Sequence, residues 1–497
     1  MILTLALRNL VLRPWRTLLL LGGFGLGVGV MITLLSIGDA MVTQARDEKL
    51  VGGGDVTVLP EGVDLELLKT GGVGGMWFSV PNARFVALQV LGNPRHEALV
   101  AAAAPQVEGK LTYLRTRDGR EIAVRATGEV PSATRAVGAA PAIAEGTWED
   151  DALDRRWLRP TPSELRHDID RFHETPPGAG DRDSWAEWHY FNVVSADRKR
   201  WAFLTFILGG DVPTGEWGGQ LLLTLHEAGR PARRYSRLVP RTNVRYGTRD
   251  ADLRFDDASV TLRDDGTYRV QARIPAEDGG TPARVDLVFA PEARGYFPGT
   301  SLGSGTFVSG YVVAGLRATA EGSVCAGAWC ERFAGAQAYH DHNWGTWRGV
   351  TWDWGSARAG DVSLLYGRVA APDSMAARTA MFVYVVDSLG FLAVFRPPEV
   401  RYEDGRTATV GGRTIRVPSR ALMVDTRGGD SLRVELEVEE AAVTDMRRGL
   451  VERGEAAGAA GLARPYFVQM KGRATVRARV GGRTVGGSGT GFFETYR

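Results

Sequence analysis

The sequence predicts a mainly β protein: two tandem antiparallel barrels, preceded by one transmembrane helix and a small α/β module. Three observations predict it. Short alternating apolar segments separated by turn residues recur from about residue 163 to the C-terminus. A charge-free apolar run covers Thr17–Gly38. The stretch between them mixes strand-like and helix-like patterns. A length of 497 residues suggests about three domains. Glycine, at 63 residues, favours turn-rich β-structure over helix bundles.

Residues 1–16 carry Arg8, Arg13 and Arg16 and no acid. The 17–38 segment, "TLLLLGGFGLGVGVMITLLSIG", spans about 33 Å as a helix, against roughly 30 Å of bilayer core. Asp39, Asp47 and Glu48 follow it. The positive-inside rule places residues 1–16 in the cytoplasm and the bulk of the chain outside it, anchored by a single pass in the inner membrane. A cleaved signal peptide is the competing reading; the run is longer than the usual h-region and no A-x-A site follows. Gly23/Gly27 and Gly25/Gly29 are small-xxx-small pairs that suit a partner helix, although glycine is also common in membrane helices.

Residues 39–135 read as the α/β module. "GGGDVTVLP", "RFVALQVLG" and "REIAVRATG" suggest strands, and "HEALVAAAAPQV" a short helix. Residues 136–162, rich in Ala, Pro and charge, read as a linker with about one helical turn. Residues 163–347 and 348–497 read as the two barrels. "DASVTLRDDGTYRVQARIP" is a hairpin turning on Asp-Asp-Gly. "AMFVYVVDSLGFLAVF" reads as two strands and a turn. In "SLRVELEVEE", Leu432, Val434, Leu436 and Val438 share one face.

A net charge of +2, with 55 Arg and 5 Lys scattered along the chain, argues against a nucleic-acid partner. Cys325 and Cys330, in "CAGAWC", can form a small disulfide outside the cytoplasm; two free thiols are the other reading, and predicted export favours the bridge.

Two stretches concentrate polar and aromatic residues: "SWAEWHYFNV" and "AYHDHNWGTW", the latter followed by "TWDWGSA". On strands, Glu187, His189 and Phe191 point one way, and Trp188 and Tyr190 the other. Likewise Tyr339, Asp341 and Asn343 share one face, and His340, His342 and Trp344 the opposite one. His340 and His342 could give two ligands to zinc or iron, with Glu187 or His189 as a third. No HExxH or CxxC pair accompanies them, and no metal or cofactor is assigned. The Tyr339, Asp341 and Asn343 face could line a barrel interior, where desolvation keeps a carboxyl protonated and able to act as an acid. Alternatively Asp341 only accepts hydrogen bonds at a strand end.

"EWHYFNV", "AYHDHNWG" and "WDWGSA" resemble the carotenoid 1,2-hydratase family (hydroxyneurosporene synthase, CrtC), also called the AttH-like group, over about residues 160–497. The resemblance implies lipocalin-like (calycin) barrels. It makes Asp341 the candidate proton donor for adding water to a terminal isoprenoid double bond, with Tyr339 as helper. Glu187, Trp188, His189, Tyr190, His340, His342, Asn343, Trp344, Trp352 and Trp354 are candidate ligand-binding residues. "LALRNLVLRPWRTLLLLGGFGLGVGVMI" and the stretch to about residue 135 resemble ABC-transporter permeases of the MacB/FtsX class.

The expected function is therefore a membrane-anchored extracytoplasmic protein that binds or transforms an isoprenoid, carotenoid or other lipid beside an ABC export system. The alternatives are a hydratase or an isomerase/cyclase of a terpenoid-like substrate using Asp341, and a structural accessory subunit that meets transporter subunits through the glycine-rich helix.

Overall fold

A computed structural model describes residues 12–47, 55–56, 58, 80–139, 141, 149–175, 179–180, 184–211, 215–302, 308–370, 381–410, 412–446 and 464–497. The chain divides into two units: Met1–Ala83 with Ala101–Asp154, and Arg84–Val100 with Arg155–Arg497.

In the first unit one helix runs Pro14–Asp47, with proline where a missing backbone N–H does no harm. Its Pro14–Ile37 part, of mean hydropathy 2.3, is long and apolar enough to cross a membrane or to serve as a signal sequence. Leu18, Leu21, Phe24, Leu26 and Leu35 along it are exposed. A two-stranded antiparallel sheet pairs Val107–Arg115 with Glu121–Gly128, so "REIAVRATG" is a strand. "GGGDVTVLP" lies largely outside the described residues.

Two local expectations fail. "RFVALQVLG" is helical: Val80–Phe85 runs into a π-helical turn, Val86–Leu91. Tertiary contacts override its strand pattern. Within the second unit Phe85 lies edge-on to Tyr296 and Phe391, and Arg84 pairs with Asp168 at 2.6 Å. "HEALVAAAAPQV" makes turns and extended chain, and its end enters the Val107–Arg115 strand. The described part of the 136–162 stretch is helical where about one turn is expected. It holds the helix Ala152–Leu158 and leads into Pro162–Ile169, whose Thr161 and Glu164 form a capping box.

The second unit is built on two large antiparallel sheets, a nearly closed barrel and a half-barrel. The first runs from Trp185–Val194 to Trp329–Thr346. It nearly closes where Ser236 N donates to Pro275 O at 3.1 Å and Glu277 N to Arg234 O at 3.1 Å. Its interior holds the buried Phe191, Phe206, Val260, Val270 and Leu287. The second sheet spans Thr351–Ala359 to Arg483–Tyr496; it buries Leu364, Val383, Val434, Leu436 and Phe493. The two hairpins read from the sequence are present, at Ala258–Leu262 with Tyr268–Ile274 and at Phe382–Asp387 with Gly390–Phe395. Cys325 and Cys330 are cross-strand partners joined by a disulfide, with Cα atoms 4.0 Å apart. A third core, rich in aromatic rings, draws residues from both sheets.

Candidate functional site

The strand Trp329–Thr346, here the motif strand, sits between Trp185–Val194 and Ser309–Ala326. Asp341 is opposite Tyr190, Asn343 opposite Trp188, and His342 opposite His189. Strand alternation then sends neighbouring residues to different places. Gly345, at φ +145°, sits near the end of this strand, where a Cβ would meet Val308 O at 2.4 Å. Gly310 leaves room for the Trp344 indole, which would stand 2.1 Å from a Cβ.

The Tyr339, Asp341 and Asn343 face does not line the interior of the first barrel. It faces the second sheet, because the barrel interior is taken by the opposite face, where Ala336 and Ala338 join the core and His340 stacks on Phe191 at 4.0 Å. Asp341 is 2 % exposed. Tyr339 Oη donates to Asp341 Oδ2 at 2.7 Å, Trp354 Nε1 to the same oxygen at 3.0 Å, and Asn343 Nδ2 to Oδ1 at 2.8 Å. Burial raises this carboxyl to about 7, and the nearby Glu494 adds to the rise; the Tyr339, Trp354 and Asn343 hydrogen bonds work against it.

Glu494 was not among the sequence candidates. It lies opposite Trp354 on the last strand, is 8 % exposed, and accepts from Trp352 Nε1 at 3.0 Å and Gln469 Nε2 at 2.9 Å. Burial raises its pKa as well. Aromatic rings surround the two carboxyls. Tyr311 is edge-on to Trp354, and Phe492 edge-on to Tyr339. At the margin Trp188, Trp347 and Trp352 are half-buried and mutually in contact. Nearer Tyr339, Tyr190 Oη and Asn192 Nδ2 are buried with no hydrogen-bond partner among the described residues. Beside Tyr339, Asn192 and Phe492 a cavity of about 10 Å³ has room for one water.

The other five candidates, Glu187, His189, His340, His342 and Trp344, lie on the barrel-interior side. Their hub is Asp170, which follows the capped helix and which sequence reasoning missed. His340 Nε2 is 2.9 Å from Asp170 Oδ2, His342 Nδ1 is 3.1 Å from Oδ1, and Tyr268 Oη donates to Oδ2 at 2.8 Å. His342 Nε2 and His173 Nδ1 reach Glu187 Oε1 at 2.9 and 2.8 Å. Burial works against charge here, yet the imidazoles hold Asp170 well below the usual carboxylate range. Burial is likewise outweighed at His342, where hydrogen bonds to Asp170 and Glu187 raise the pKa to about 10. Burial pushes His189 well down. His173 stacks on Trp344 at 3.7 Å. The candidate set is thus two clusters divided by the sheet.

No family model and no curated protein matches the chain. Among solved structures it is similar to an AttH described as putative (NE1406) from Nitrosomonas europaea, at 17 % identity and TM-score 0.43, covering 65 % of this chain and 99 % of that one. It is also similar to kievitone hydratase from Nectria haematococca, at 12 % identity and TM-score 0.40, covering 66 % and 94 %. A third likeness is to CghA with Sch210972, at 13 % identity and TM-score 0.41, covering 67 % and 97 %.

Proposed function

We propose that the aromatic space between the two sheets receives an apolar, isoprenoid-like ligand, and that Asp341 donates a proton to its terminal double bond. The observation that supports this reading is a buried carboxyl held by three neutral donors among aromatic rings. Protonation of the alkene by Asp341 forms the C–H bond and a tertiary carbocation. The Trp354, Tyr339 and Tyr311 ring faces suit a cation in a dry space. Water then adds its oxygen to the cation and releases a proton, which resets the carboxyl, so the net reaction joins one water to one double bond. The cavity beside Tyr339 holds one water, so an isoprenoid tail enters only when side chains of the aromatic space part.

The same reading has the Pro14–Ile37 helix anchor the protein with its N-terminus in the cytoplasm. Arg8 and Arg13 before the helix, Arg16 in its first turn and the acids after Ile37 support that orientation. A role beside an ABC exporter rests on the N-terminal resemblance alone. Two experiments test the proposal. Native mass spectrometry of the detergent-extracted protein should show a co-purified apolar molecule that Asp341→Asn retains while losing turnover. Release of the molecule with no change in turnover would refute the acid role. A reporter fused after Arg497 should be active only outside the cytoplasm.

A further inference from the structure

The proposed chemistry leaves the barrel-interior face of the motif strand unused, and hydrogen-bond geometry there fixes which nitrogen of each imidazole carries a proton. His340 Nδ1 is 3.0 Å from Tyr190 O, and His189 Nε2 is 2.9 Å from Ala251 O. A carbonyl oxygen only accepts, so both nitrogens donate. The remaining nitrogen of each ring turns to the same carboxylate oxygen. His340 Nε2 lies 2.9 Å and His189 Nδ1 3.8 Å from Asp170 Oδ2.

His189 Nδ1 has no hydrogen-bond partner among the described residues, although the side chain is fully buried. In a neutral ring that donates through Nε2, Nδ1 is a bare lone pair facing a carboxylate. At 3.8 Å the two atoms are too far apart for a hydrogen bond, so the lone pair has no direct partner. A cation between the two atoms relieves it. An imidazole held by a carbonyl at its outer N–H, as both rings are, has the arrangement that orients a metal ligand. The inner nitrogen of His189 is unpartnered among the described residues, and that of His340 bonds Asp170 Oδ2, which also accepts from Tyr268 Oη. The other Asp170 oxygen is fixed by His342 Nδ1 at 3.1 Å. Phe172 packs on His189 and Phe191 on His340, which keeps the place dry.

We propose that Asp170 Oδ2, His189 Nδ1 and His340 Nε2 bind one divalent transition-metal ion, with zinc the best match to two imidazoles and a carboxylate. The three ligand atoms lie within 4.8 Å of one another, and small shifts bring them around a single ion. On binding, any proton on His340 Nε2 leaves to solvent. All three ligands are fully buried, so the ion enters as the barrel closes and ties the Asp170 segment into it. Because Asp341 is on the opposite face, the metal site stands or falls separately from the acid role.

The test uses the full-length protein in detergent, purified without a histidine tag. Elemental analysis should find about one zinc per chain. Protein refolded with Co²⁺ instead should show visible d–d bands, and chelator should lower the melting temperature. His189→Gln should lose the metal. His173→Ala, at a quarter-exposed residue of the neighbouring His173, Glu187 and His342 cluster, should fold and keep it. Absence of both zinc and cobalt from wild-type protein overturns the proposal. So does a metal that His173→Ala removes and His189→Gln retains.

Discussion

Asp170 and Asp341 are both buried carboxyls joined to the same strand, and burial raises the pKa of each by desolvation. They nevertheless shift in opposite directions. Asp170 meets imidazoles, which favour its charged form, and falls well below the carboxylate range. Asp341 meets neutral donors and a second carboxyl, and rises to about 7. Burial alone therefore does not decide a buried acid's state; the sign of its neighbours does. A strand makes this contrast cheap, because adjacent residues such as His340 and Asp341 enter separate environments.

The largest expected difference comes from applying one substitution to both acids. Asp170→Asn breaks a buried charge network and should cost about 3–5 kcal/mol in denaturant unfolding. Asp341→Asn replaces a neutral-leaning carboxyl by a group of the same shape. It loses at most one or two acceptor contacts, which should cost about 1–2 kcal/mol. Equal losses would remove the contrast between the faces.

A smaller effect should follow from Trp354→Phe. The ring stays, but the indole N–H that reaches Asp341 Oδ2 and Tyr339 Oη is gone. Stability should fall by about 1–2 kcal/mol. If the indole also positions the acid, turnover falls further than ligand affinity. Comparable in size, and remote from both faces, is the Cys325–Cys330 bridge. Replacing both cysteines with serine should cost about 2 kcal/mol, because a short loop restricts the unfolded chain only modestly. Thiol labelling of the native protein should fail until a reductant is added.

Much of the Asp341 face was legible in sequence. Alternation alone grouped Tyr339, Asp341 and Asn343 and set them against His340 and His342. What alternation could not supply was the partner on the far side. Trp354 and Glu494 come from the second sheet, and whether a face looks into a barrel or between two is a tertiary fact. Asp170 was illegible for a related reason. It lies 170 residues from His340, at the end of a short capped helix inside a stretch that read as a linker running into a barrel. The "RFVALQVLG" segment misled because its apolar residues suit a strand, while the cluster around Phe85 holds it as helix. A cue for Asp170 existed in the Thr161-Pro-Ser-Glu164 capping pattern, which marks an ordered helix start before "HDID".

The smallest expected effect concerns Glu494, and pH sharpens it. Folding raises its pKa above the ordinary 4.5 through burial, against the Gln469 and Trp352 hydrogen bonds. The folded protein therefore holds this proton more tightly than the unfolded chain. Between the ordinary value and the raised one the folded state binds more protons, so stability declines as pH rises through that window. The contribution is fully present below about 4.5 and is lost above the folded value. Glu494→Gln keeps the acceptor for Trp352 but cannot titrate. Its melting temperature relative to wild type should therefore climb with pH from the ordinary carboxylate value upward, then level off. A gap that stays flat across that range would show that Glu494 titrates normally, leaving Asp341 without a second raised carboxyl beside it.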